Sequence, residues 1–130
     1  MNASNITVDF NNTIISFVQN ISDVCPTCVI AIHRKDVERL IKKPEYEFKF
    51  IETFCIKVLQ YKARIDADDE SFFLQKSYDD DLDNNQTLIN HVFELKSIWL
   101  DLNDDNKLVV KQYMKILCAL AEQYYLIICQ

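Results

Sequence analysis

A chain of 130 residues, 49% of them hydrophobic, can bury a substantial core in one compact domain and is too short for two. It contains no glycine, which excludes the P-loops, dinucleotide-binding turns, nucleophile elbows and type I′ hairpins that lean on glycine's backbone, and with them most nucleotide-dependent and hydrolase chemistry. The net charge of −6 is concentrated in residues 66–83, which hold eight carboxylates against one lysine, and a pI near 4.8 without a long basic stripe excludes nucleic acid and anionic membrane surfaces as main partners.

From Phe10 to Ile21, the residues Phe10, Ile14, Phe17, Val18 and Ile21 recur at helical spacing until "DVCP" breaks the run, predicting a first helix. Pro26 suits a first helical position, so a second helix is expected from Cys28 to Ile41, although "CVIAI" alone also fits a strand. Pro44 opens a third, along which Ile51, Phe54, Val58, Tyr61 and Ile65 form one apolar face. The acidic stretch from Asp66 to Asn85 is expected to contain a short helix capped by Asp68 or Asp69, with "SFFL" as its apolar plug. Two long helices then follow, one on Leu88, Val92, Leu95, Trp99 and Leu102 and one on Val109, Tyr113, Ile116, Leu120, Tyr124 and Ile127. The expectation is an all-α, single-domain bundle of five or six helices over residues 1–130, closed by a long C-terminal antiparallel helical hairpin.

Two C-terminal elements carry a resemblance. The first, of the form I-x-x-x-D-E-x-F-F-L, falls on Ile65, Asp69, Glu70, Phe72, Phe73 and Leu74. The second, L-K-x-I-W-x-x-L-x-x-x-N-K followed by an aromatic and a long helix, falls on Leu95, Lys96, Ile98, Trp99, Leu102, Asn106, Lys107 and Tyr113. Over roughly its C-terminal half the chain thus resembles a family of small all-helical proteins of giant (nucleocytoplasmic large) DNA viruses. The resemblance implies a viral, non-enzymatic helical protein of the host cytoplasm or the virion, and it brings no reaction and no cofactor.

Four groups of residues invite a chemical reading. "DLNDDNKLVVKQ", from Asp101 to Gln112, has acidic or amide side chains at the first, third and fifth places of a calcium loop, but Asn106 stands at the glycine position and Gln112 at the bidentate glutamate. The competing reading is a helix start with Asn103 as N-cap and Asp104 and Asp105 in the first turn. Cys25 and Cys28 form a C-x-x-C without the βαβ context of a thioredoxin-like site, and a zinc site from Cys25, Cys28, His33 and Cys55 lacks its second C-x-x-C half. All five cysteines are expected reduced and mostly buried, with no disulfide framework, as in a soluble intracellular protein. His33 and His91 lie apart without a triad pattern and are expected to be surface or hydrogen-bonded residues. Five N-x-[ST] sequons, at Asn2, Asn5, Asn11, Asn20 and Asn85, are read as accidental.

These weights favour a non-enzymatic viral structural or protein-interaction protein over a small calcium- or zinc-binding or thiol-redox regulator. Its partner-binding residues are expected in the acidic segment at Asp79, Asp80, Asp81 and Asp83, whose charge would steer a basic virion or host protein. Phe72 and Phe73 are neighbours, so a helix can bury one and leave the other as a contact; core is the expected role of both, with Phe72 kept as the contact candidate. From Tyr124 to Cys129 the chain is almost unbroken by polar residues, so Tyr124 and Tyr125 are expected to meet a second copy or a partner groove. No catalytic, cofactor or metal residue is assigned.

Overall fold

The first helix, α1 (Ala3–Val24), begins where Asn2 accepts a hydrogen bond of 2.9 Å from the Asn5 amide, satisfying an otherwise orphaned donor. It ends at Cys25, because Pro26 disfavours helical backbone before it. Its inner face buries Ile6, Phe10, Ile14, Phe17, Val18 and Ile21, the expected stripe extended one turn back. These features come from a computed structural model that describes residues 2–75 and 83–129, among which there is no strand.

The expected second helix is two, α2 (Val29–Ile32) and α3 (Arg34–Ile41), with His33 in neither and its ring stacked on His91. Pro44 opens only a 3-10 turn, Pro44–Tyr46, ahead of α4 (Lys49–Lys57). A second 3-10 turn, Leu59–Tyr61, then leads into α5 (Lys62–Asp66). The apolar positions Ile51, Phe54, Val58 and Ile65 are buried as expected, but 3-10 and α turns share spacings of three and four, so the pattern does not separate one long helix from a broken one.

The corner after α5 is made without glycine. Asp68 takes the left-handed backbone at φ 57°, which short polar side chains tolerate. Asp69 then accepts from the Ser71 amide at 3.0 Å and starts α6 (Glu70–Gln75). Beyond residue 82, Asp83 caps α7 (Asn84–Phe93), and α8 (Lys96–Trp99) follows. These two replace the single expected helix through Leu102. Phe93 and Leu95 are both buried, yet residues two apart point away from each other on a helix, so extended Glu94 is what brings both inward.

The chain closes with α9 (Asp104–Ile128), 25 residues and about 37 Å long, which is the expected long C-terminal helix. Its antiparallel partner is α1, with Asn20 to Val24 beside Asn106 and Val109, and Asp9 to Ser16 beside Ile116 and Leu120. The expected hairpin with residues 88–102 does not form. The ten-residue α7 packs on α2, α3 and α4, and α8 packs on α6, whereas among the described helices α1 alone is long enough to cover α9 along its length.

One cluster holds the buried apolar side chains of all nine helices described, including a chain of edge-on rings from Phe10 to Phe54 to Phe93 at 5.5 and 5.2 Å. Trp99 stacks on Phe73 at 4.5 Å. The buried Asn90 accepts from Lys57 and Gln86 at 3.0 and 3.1 Å, and Gln86 also reaches Thr53 at 3.2 Å, so α7 is registered on α4 by a satisfied polar network.

Candidate functional site

Three faces of α9 meet three environments. The core face is Val110, Met114, Leu117, Cys118, Ala121 and Tyr124. A lysine face turns toward α8, α6 and the α5–α6 corner: Lys107 lies 5.6 Å over the Trp99 ring, Lys111 pairs with Glu70 at 3.3 Å, and Lys115 pairs with Asp68 at 2.9 Å. A third face carries Val109, Tyr113, Ile116 and Leu120, with Val109 38% and Ile116 49% exposed, and beyond it Leu108, Gln112, Ala119 and Gln123 lie on the solvent side. The stripe that periodicity assigns to the core is therefore largely this outer face. A helix with apolar residues at 109, 110, 113, 114, 116, 117, 120 and 121 has two candidate faces one residue apart, and periodicity alone cannot rank them.

The outer face forms one wall of a groove whose other wall is α1. Toward the end of α1, a cleft of about 270 Å³ is lined by Asn20, Ile21, Asp23, Val24, Asn106, Val109 and Tyr113. Toward its middle, a more open cleft of about 500 Å³ is lined by Asp9, Asn12, Thr13, Ser16, Tyr113, Ile116 and Leu120. Tyr113 belongs to both. Its hydroxyl shares a 2.7 Å hydrogen bond with Ser16 and accepts one from the Asn20 amide, while its ring packs 5.3 Å from Phe17 in the core. Tyr113 is thus held rigidly, with its polar end already satisfied. The lining contains two aspartates and no lysine or arginine, and Asp23 has only a distant cation, Arg34 at 3.9 Å.

The acidic segment divides in two. In its first half the carboxylates are neutralised within the fold: Asp66 by Lys62 at 2.5 Å, Asp69 by Arg64 at 3.0 Å, and Asp68 and Glu70 by the lysines of α9. Lys115 holds the Asp68 carboxyl below the usual carboxylate range, and Ser71 and then Arg64 do the same for Asp69. Asp68 and Glu70 thereby tie the α5–α6 corner to α9, while Asp66 and Asp69 are paired with side chains of α5 itself. Of the expected partner residues, Asp83 is exposed and caps α7 through the Asn85 amide at 2.9 Å, while Asp79, Asp80 and Asp81 lie outside the described residues.

Two other expected contacts are corrected. Phe72 is 3% exposed, packed between Tyr61 and Phe73 with Arg64 over its ring, so it is core. Tyr124 is 5% exposed because its ring stacks on Phe48, and burial together with Glu52 raises its hydroxyl pKa. Tyr125 stays exposed, with Leu126 and Ile128 beside it. Tyr124 and Tyr125 point about 100° apart on α9, so one ring faces in and its neighbour out, whereas the adjacent Phe72 and Phe73 of α6 are both covered.

The calcium-loop positions are already helical from Asp104 onward, with Asn103 accepting from the Asn106 amide at 2.8 Å, so the fifth to twelfth residues follow the helix surface instead of wrapping an ion. Of the four zinc candidates, Cys25 and Cys28 share one turn, but His33 stacks on His91 at 6.0 Å and Cys55 hydrogen-bonds the Ala121 carbonyl of α9. Among the described residues no group of three or more His, Cys, Asp or Glu side chains is placed to hold a metal ion. Burial pushes the Cys118 thiol up to about 12 and Cys55 up to about 11, which keeps both protonated and inert. Of the histidine pair, invisible in the sequence, His33 borders a cleft of about 370 Å³ between α3 and α7, where Asp36 approaches Arg39 at 3.3 Å and His33 at 3.9 Å. No described helix is long and apolar enough to cross a membrane. No protein-family model, curated protein or solved structure matches this chain.

Proposed function

We propose that this chain is a non-enzymatic protein-interaction protein that seats an amphipathic, basic segment of a partner in the groove between α1 and α9. The observation that carries the reading is the second apolar face of α9, where Val109, Tyr113, Ile116 and Leu120 border open clefts while a separate face of the same helix fills the core. Helix-in-groove recognition needs such a row of apolar anchors at three- and four-residue spacing. Asp9 and Asp23, in a lining that contains no lysine or arginine, favour a basic occupant, Arg34 approaching Asp23 only at 3.9 Å from outside the clefts. Asp79, Asp80, Asp81 and Asp83 would add long-range attraction for the same partner. The C-terminal resemblance supports a viral setting, with a basic virion or host protein as the source of the segment. Catalysis, metals and cofactors have no part in this reading.

A homodimer through the same face is the competing assembly. Pairing two copies would gather the Asp9 and Asp23 carboxylates of both in one interface, which repulsion disfavours. Light scattering of concentrated protein separates the two, a monomer being expected.

The test uses two model helical peptides with the same leucine stripe, one flanked by lysines and one by glutamates, titrated by fluorescence anisotropy at two salt concentrations. The lysine peptide should bind and weaken with salt, and the glutamate peptide should not bind. Replacing Val109 and Ile116 together by serine should remove binding while leaving the far-ultraviolet circular dichroism unchanged. Undiminished binding by that variant, or binding by neither peptide, would overturn the proposal.

A further inference from the structure

The corner between α1 and α2 brings two thiols together. The Cys28 amide donates to the Cys25 carbonyl at 3.2 Å, closing a four-residue turn with Pro26 and Thr27 at its centre. Such a turn holds its end Cα atoms less than about 7 Å apart, compatible with the roughly 4.4–6.8 Å that a disulfide requires. The Cys28 side chain also lies near enough to raise the Cys25 pKa. Both flanks are anchored, since the Cys25 amide donates to Ile21 at 2.8 Å and the Ile32 amide to Cys28 at 3.0 Å, so closing the bond requires little backbone movement.

We propose that Cys25 and Cys28 form a reversible intramolecular disulfide by exchange with a small-molecule disulfide of the glutathione class. Cys25 is the entry point, being half-buried beside the exposed Pro26 and Thr27, whereas Cys28 is buried. The Cys25 thiolate attacks one sulfur of the small disulfide, forming a mixed disulfide and expelling one small thiolate. The Cys28 thiolate then attacks the Cys25 sulfur and expels the second. Two protein thiols are oxidised to one cystine, the small disulfide is reduced to two thiols, and the two protein protons pass to those leaving groups. Burial, contact with Cys28 and the nearby Asp101 carboxylate all raise the Cys25 pKa. That slows the first attack and makes Cys25 a poor leaving group afterwards, so the bond forms slowly and lasts. The remaining thiols are not set up in this way: Cys55 and Cys118 are held protonated by burial, and Cys129 is exposed next to Tyr125. The crosslink ties the end of α1, where Asn20, Asp23 and Val24 wall the groove, to the start of α2. It stands independently of whether the groove binds a partner.

The experiment is mass spectrometry of the folded chain after incubation with oxidised glutathione, in a Cys129→Ser background that removes the exposed thiol. The parent should lose two hydrogens, with the bond mapped to Cys25 and Cys28 by peptide fragmentation, and should carry no persistent glutathione. Adding Cys28→Ser removes the resolving thiol, so a stable glutathione adduct should accumulate on Cys25. A persistent adduct on Cys25 in the parent overturns the proposal, because the second thiol is then not placed to resolve it. Two unmodified thiols under conditions that fully glutathionylate Cys129 in the wild-type chain overturn it equally.

Discussion

Replacing Trp99 by alanine tests whether α6, α8 and the first turn of α9 are joined through one side chain. The indole is 1% exposed, lies face to face with Phe73 at 4.5 Å and 8°, and carries Lys107 at 5.6 Å. Truncating a buried Trp to Ala costs about 3–5 kcal/mol through lost transfer energy and the cavity left behind. The stacked geometry contributes about 0.5–1.5 kcal/mol beyond burial, and the partly buried Lys107 cation over the ring at least about 0.5–1 kcal/mol, which places Trp99→Ala toward the upper end of that range. Trp99→Phe keeps a ring on Phe73 and opens a smaller void, for about 1–2 kcal/mol. The assay is urea unfolding followed by far-ultraviolet circular dichroism, since Trp99 is the only tryptophan and its fluorescence disappears with it. With a slope of about 2 kcal/mol per molar urea, a loss of about 4 kcal/mol lowers the midpoint by about 2 M. Replacing both Trp99 and Phe73 by alanine should be milder than the sum of the single losses by about 0.5–1.5 kcal/mol. A midpoint shift below about 0.5 M for Trp99→Ala, or strict additivity with Phe73→Ala, would refute the joint.

Asn103→Ala should lower stability by about 1 kcal/mol through loss of the α9 cap, measured by chemical denaturation, and saturating calcium should leave the wild-type midpoint unchanged. Asp68 and Asp69 titrate below the ordinary carboxylate range, Asp68 through Lys115 and Asp69 through Ser71 and Arg64, so their contribution is complete above the unfolded value of about 4 and is lost as pH falls through the lower folded values. Urea midpoints measured from neutral to acid pH should therefore fall below about pH 4, and less steeply when Lys115→Met and Arg64→Met have removed the partners. Converting Asp79, Asp80, Asp81 and Asp83 to asparagine should leave the unfolding free energy within about 0.5 kcal/mol of wild type while weakening binding of the lysine peptide and flattening its salt dependence. Unchanged affinity and salt sensitivity would confine recognition to the groove.

Much of the helical content is legible in the sequence. The stripe from Phe10 to Ile21, the Asn103 cap and the acidic start of the last helix are local signals, carried by side chains within a turn of the backbone they act on. The breaks at His33, Val58 and Glu94 were not legible, because α and 3-10 turns share apolar spacings and an extended residue such as Glu94 serves contacts far away in the chain. The candidate site was half visible. Its residues Val109, Tyr113, Ile116 and Leu120 stood out by periodicity but pointed to the core, and only the pairing of α9 with α1 decided that Val110, Met114 and Leu117 would be buried instead. In the same way eight carboxylates looked like one docking surface until Lys62, Arg64, Lys111 and Lys115 were seen to neutralise four of them. Sequence alone determined which residues are apolar, charged or helix-starting, since those are properties of single side chains and their near neighbours. Which apolar face is covered and which charge is matched depends on a second surface contributed by distant residues, and that only the tertiary structure could decide.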